Sequence, residues 1–119
     1  KALRNYREVL HVRQDDFGAL VQGGTCHRRL GQVQDAERFF EKARRVRPDS
    51  WIPAYNLACL KASLGHPEAA LDLLLAELPA KGFDDLALLD SDSDLATVRK
   101  LPRFEALREA VGLRRGAQG

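Results

Sequence analysis

Methionine is absent from this 119-residue chain, tryptophan occurs once, and aromatic residues make up 7% of it. With Lys1 in first place and no methionine anywhere, the chain is expected to be a fragment or a processed product. No basic start followed by an apolar core is present, so no secretory leader is expected. The longest apolar stretch, Ala69 to Ala76, is broken by Asp72. It falls well short of the roughly 18 residues that a membrane helix needs, and no membrane partner is expected. Two cysteines occur, Cys26 and Cys59, and neither belongs to a C-x-x-C or Cys/His ligand spacing. That indicates neither a zinc site nor a disulfide framework, and it favours a reduced, cytoplasmic setting.

Charge is plentiful but segregated. Residues 1–50 carry eleven Lys/Arg against seven Asp/Glu, a net of +4; residues 51–98 carry two against eight, or −6; residues 99–119 carry six against two, or +4. Fourteen of the nineteen basic residues are arginine, yet no long basic tract forms and no aromatics interleave with the arginines. That pattern disfavours nucleic acid and favours a solvated charged surface.

Spacing is the most informative feature present. Ala2, Ala36 and Ala70 are 34 apart, as are Tyr6, Phe40 and Leu74, Gly31 and Gly65, and Gly24 and Ala58. A period of this length in small and bulky apolar positions marks helix–turn–helix repeats. Apolar residues recur at three and four throughout, as in Phe39, Phe40, Ala43 and Val46, with no strand-like alternation. Asp15 and Asp16 can cap a helix running to about Leu30, and Gly31 is placed to end it. A second helix spans about Val33 to Val46, closing at Pro48. Ser50 can cap a third, with Pro53 in its first turn, reaching Leu64 before Gly65. Pro67 suits the first turn of a fourth, to about Leu78. Asp92 can cap a short helix to about Lys100, and Pro102 can open a last one to about Val111. The organisation expected is residues 1–16 as the second half of a truncated repeat, repeats at 17–50 and 51–84, a short helix and a capping helix at 85–112, and a flexible tail at 113–119.

Together these residues resemble the tetratricopeptide repeat (TPR) pattern of W-x2-L-G-x2-Y, then A-x3-F, then P. Leu20, Gly23, Gly24, His27, Ala36, Phe40, Ala43 and Pro48 carry it in the first full repeat; Ala54, Leu57, Ala58, Lys61, Ala70 and Leu74 carry it in the second. Departures are Gly23 for the usual Leu, His27 and Lys61 for Tyr, and Gly82 for the closing Pro. Tyr55 to Cys59, followed by Asp92-Ser93-Asp94-Leu95, Arg99, Pro102-Arg103-Phe104 and Leu107, resembles the closing module of many bacterial TPR proteins. The resemblance implies an all-α fold of antiparallel helix pairs stacked into a right-handed superhelix, with a C-terminal capping helix built on Phe104, Leu107 and Val111. It also implies that Leu3, Tyr6 and Leu10 form an apolar strip at the N-terminal end, through which two copies could pair.

Function is expected in binding, with no cofactor and no enzyme activity. His11, His27 and His66 have no nucleophile or carboxylate at a recurring triad spacing, and Cys26 and His27 diverge by about 100° on their helix. Asp90, Asp92 and Asp94 imitate the start of a calcium loop, but Leu95 and Leu101 stand where it needs Gly and Glu. No metal site is expected, and a solvated acidic turn that caps a helix accounts for these residues. In TPR proteins the first helix of each repeat lines a concave groove. Transferred here, the groove comprises Val21, Gln22, Thr25, Arg28 and Arg29, then Ile52, Tyr55, Asn56, Cys59 and Ser63. Arg28 and Arg29 offer forked donors for an acidic protein or peptide partner, and Tyr55 offers rigid contact area. The TPR subclass that grips chaperone C-terminal carboxylates uses Lys and Asn where this chain has Val21, Thr25, Ile52 and Tyr55; Asn56 alone agrees. The alternatives are a self-association module and a regulatory or tethering domain of a larger enzyme.

Overall fold

The computed structural model describes residues 7–10 and 15–118, and among them every regular element is helical. The main elements are α1 (Phe17–Arg29), α2 (Val33–Val46), α3 (Ile52–Ser63), α4 (Pro67–Glu77), α5 (Leu86–Ser91), a 3₁₀ turn (Ser93–Leu95), α6 (Ala96–Arg99) and α7 (Phe104–Gln118). Residues 7–10 are also helical; the N-terminal strip expected at Leu3, Tyr6 and Leu10 lies largely outside the described residues. The chain divides into two compact units, Lys1–Asn56 and Leu57–Gly119. That division falls inside α3, whereas the sequence period sets a repeat boundary at 50/51.

Helix ends follow the capping chemistry written in the sequence. The Asp16 carboxylate accepts from the Ala19 amide at 2.8 Å, satisfying one of the orphan donors of the first turn of α1. His27, Arg28 and Arg29 occupy the last turn of α1, where the helix dipole favours positive charge. Gly31 then adopts φ +76°, a left-handed conformation that costs glycine nothing. The Gln32 amide donates to the His27 carbonyl at 2.8 Å and the Gly31 amide to Arg28 at 3.0 Å. These are the two crossed bonds of a Schellman turn. The turn after α3 repeats them 34 residues on: Gly65 has φ +84°, His66 donates to Lys61 at 2.9 Å, and Gly65 donates to Ala62 at 3.1 Å. A third such turn follows α4, with Gly82 at φ +86° and the Phe83 amide bonded to Leu78 at 3.0 Å.

In the first unit α1 packs against α2. Ala36, Phe40 and Ala43 of α2 and Ala19 and Leu20 of α1 are buried. Gly24 explains how closely the pair can approach. A methyl group placed there would sit 2.5 Å from the Phe40 ring, so that ring occupies the space a side chain would need. The close contact at Gly24 is with Phe40.

In the second unit α7 packs on α4 and α5, and α4 also meets α6. Phe104, Leu107 and Val111, one face of α7, are buried as expected. Burying three such side chains is worth about 5 kcal/mol before entropy. Ion pairs reinforce the seam: Arg103 bonds Glu68 and Asp72 on α4 at 2.8 and 2.7 Å. Arg108 forks onto Asp90 at 2.9 and 3.1 Å. These pairs are largely exposed, so burial dominates.

Two elements differ from expectation. Helix α5 has no counterpart in the expected helices and overlaps the acidic turn read at Asp90, Asp92 and Asp94 only at its end; Asp85 caps it, accepting from the Leu88 amide at 3.0 Å, and Leu89 anchors it in the core. Helix α7 runs to Gln118, past the boundary at Val111 and through the expected flexible tail. No proline interrupts residues 112–118, and Leu113, Arg114 and Arg115 favour helix, outweighing Gly112 and Gly116.

Candidate functional site

The α1 positions expected to face a partner share one helical face. Gln22 and Arg29 are exposed there, and Val21, Thr25 and Arg28 are half-buried. The Thr25 hydroxyl, however, donates to the Val21 carbonyl at 3.0 Å, one turn back on its own helix. Asn56 does the same, donating its side-chain amide to Ile52 at 2.9 Å, and the exposed Ser63 hydroxyl donates to Leu60 at 2.7 Å. Hydroxyl and amide side chains on helices commonly take this course. Ile52 is half-buried and the start of α3 is fixed by Ser50, whose hydroxyl accepts from the Ile52 amide at 3.2 Å.

Two residues depart from the expected open groove. Tyr55 is 7% exposed and lies edge-on to Trp51, with ring centroids 5.8 Å apart; Cys59 is 3% exposed. An aromatic ring with a large apolar area and a small thiol both gain more from burial than from display. The candidate positions left at least partly open in the first unit are Val21, Gln22, Thr25, Arg28, Arg29, Ile52 and Asn56; the exposed Ser63 lies in the second.

His27 is the one buried polar residue of the described core, 7% exposed. Its Nδ1 lies 2.5 Å from the Gln32 side-chain oxygen, and its ring meets Phe39 edge-on at 4.9 Å. It therefore buttresses the Gly31 turn from inside. Arg47 lies over the Phe17 ring at 4.9 Å, tying the end of α2 to the start of α1.

The acidic trio of the second unit is split by the fold. Arg108, by its hydrogen bonds to Asp90, holds that carboxyl below its ordinary value, with Arg99 adding to the effect. The same bonds raise Arg108, and those from Asp72 and Glu68 raise Arg103. Asp92 and Asp94 instead converge with Cys59: one donor atom from each lies within 4.8 Å of the others. The Asp92 carboxylate also caps the 3₁₀ turn, accepting from the Asp94 amide at 2.9 Å. The Arg99 guanidinium donates to the Leu89 and Asp92 carbonyls at 3.0 and 2.7 Å. Spacing along the chain could not reveal this grouping, because Cys59 is 33 residues from Asp92.

Among the described residues these features define an all-helical architecture of helix–turn–helix segments, with glycine turns recurring 34 residues apart at Gly31 and Gly65. Over 80 aligned residues, 65% of its length, the chain is 31% identical to a chloroplastic protein of Arabidopsis thaliana. The match covers 24% of that protein, so the chain spans about a quarter of the relative's length. No family model matches the chain, and no solved structure does. No helix among the described residues is long and apolar enough to cross a membrane.

Proposed function

We propose that the chain is a TPR module whose first unit binds an extended acidic protein segment across Val21, Gln22, Arg28 and Arg29 of α1 and Ile52 and Asn56 of α3. The observation that carries this reading is the turn repeated bond for bond at Gly31 and Gly65, joined to the Phe40 ring seated against Gly24. A stacked helix-pair repeat uses both features, and in such repeats the first helix of each pair faces the groove. Apolar burial at Val21 and Ile52 supplies affinity, and charge-assisted bonds from the two guanidinium groups supply preference for acid.

Binding of fluorescent Asp/Glu-rich peptides, followed by anisotropy, tests the reading. Arg28→Glu with Arg29→Glu, and Arg29→Glu alone, should weaken binding, the pair by about tenfold or more, with unchanged far-UV circular dichroism. Higher salt should weaken the wild type in parallel. Equal affinity for acidic and neutral peptides, or full affinity in the double variant, would overturn it.

A further inference from the structure

We propose that Cys59, Asp92 and Asp94 form a zinc-binding site in the second unit, independent of the peptide surface. The donor set is mixed and comes from two places far apart in sequence: a thiol from α3 and two carboxylates from the 3₁₀ turn and its cap. Their donor atoms already lie within 4.8 Å of one another. Tetrahedral zinc, with bonds of about 2.3 Å to sulfur and about 2.0–2.2 Å to oxygen, draws its ligands to about 3.5 Å apart. A side-chain adjustment of about 1 Å closes that gap. Three protein ligands leave a fourth position for water.

The surroundings suit a cation of this class. Cys59 is buried, Asp92 half-buried and Asp94 exposed, so the cluster opens to solvent on one side. The Asp94 amide donates to one oxygen of Asp92, the kind of outer bond that orients metal-binding carboxylates. A thiolate and two carboxylates carry one negative charge more than zinc neutralises, and the Arg99 guanidinium sits at the Asp92 backbone to offset it. Asp90, drawn away by Arg108, is not part of the set. The sulfur selects against calcium and magnesium, which prefer oxygen alone. The lack of a local zinc motif, which set the expectation of no metal, carries no information about a site assembled by the fold.

Cobalt(II) added to the intact, reduced chain is the direct probe, since thiolate-bound cobalt gives a near-ultraviolet charge-transfer band. One equivalent should produce the band, zinc should abolish it, and proton release should accompany binding. Cys59→Ser should remove the band and Asp94→Asn should weaken binding at least tenfold, with helical content intact in the latter. Cys26→Ser and Asp90→Asn should leave it unchanged. No band at one equivalent, a band that survives Cys59→Ser, or affinity indifferent to Asp94→Asn would overturn the proposal and leave a thiol serving the core alone.

Discussion

The two units solve the same problem of holding helices together with different chemistry. The first relies on rings: Phe40 against Gly24, His27 edge-on to Phe39, and Arg47 over Phe17. The second is leucine-rich inside, with Leu57, Leu71, Leu74, Leu89 and Leu107 buried beside Phe83 and Phe104, and arginine-clamped through Arg99, Arg103 and Arg108. The equivalent of the Gly24 and Phe40 positions is Ala58 and Leu74, both fully buried. In one case a smaller residue is matched by a larger one, and in the other two middling residues serve. What stays constant between the units is the glycine turn, not the packing.

The sharpest way to break that comparison is to exchange the pairs. Phe40→Ala should cost about 3–5 kcal/mol by emptying the notch. Gly24→Ala gains about 1 kcal/mol of helix propensity but forces the buried ring aside at a cost of about 1–3 kcal/mol. It should therefore destabilise alone and be rescued when combined with Phe40→Leu, which copies Ala58 and Leu74. Denaturant melts of the four-member cycle measure the coupling, and simple additivity would show that the two positions do not compensate.

Smaller effects test the constant element. Gly31→Ala and Gly65→Ala meet no atom within 4 Å, so each should lose only the backbone term, about 1–2 kcal/mol, and by equal amounts. Unequal losses would mean that the turns share hydrogen bonds but not strain. The smallest change expected is at the Arg108 clamp. The Asp90 carboxyl is depressed, so its contribution is present above the unfolded value near about 3.9 and is lost as pH falls through the folded value. The melting-temperature gap between wild type and Arg108→Gln should be small at neutral pH and should vanish in acid. A gap that persists once the Asp90 carboxyl is protonated would assign the clamp's effect to packing of the arginine stem.

Much of this fold is legible in the chain because punctuation is local. Asp16, Ser50, Pro67, Gly31 and Gly65 act on their own neighbours, and α2 begins and ends where the spacing of Phe39, Phe40, Ala43 and Val46 sets it. Helix α5 escapes because its signal, Asp85 with Leu86 and Leu89, is a single turn embedded in a run of aspartates. Less of the candidate site is legible. The repeat pattern turns Thr25, Asn56 and Ser63 toward a partner, yet each hydrogen-bonds its own helix, and Tyr55 and Cys59 are buried rather than displayed. Helical periodicity assigns a residue to a face, but which way a hydroxyl turns and what covers a face depend on the rest of the molecule.

The matched turns also determine which changes of chain length this protein can absorb. One residue inserted within α2 would rotate everything after it by about 100°, carrying Phe40 and Ala43 off the buried face. An insertion copied from the stretch between Gly31 and Leu64 would instead bring its own left-handed glycine, its own crossed amide bonds and its own helix starts. A fractional insertion thus displaces the buried face, whereas a whole period carries its own turn. Gene duplication can therefore lengthen such a chain without redesigning any single contact within a turn.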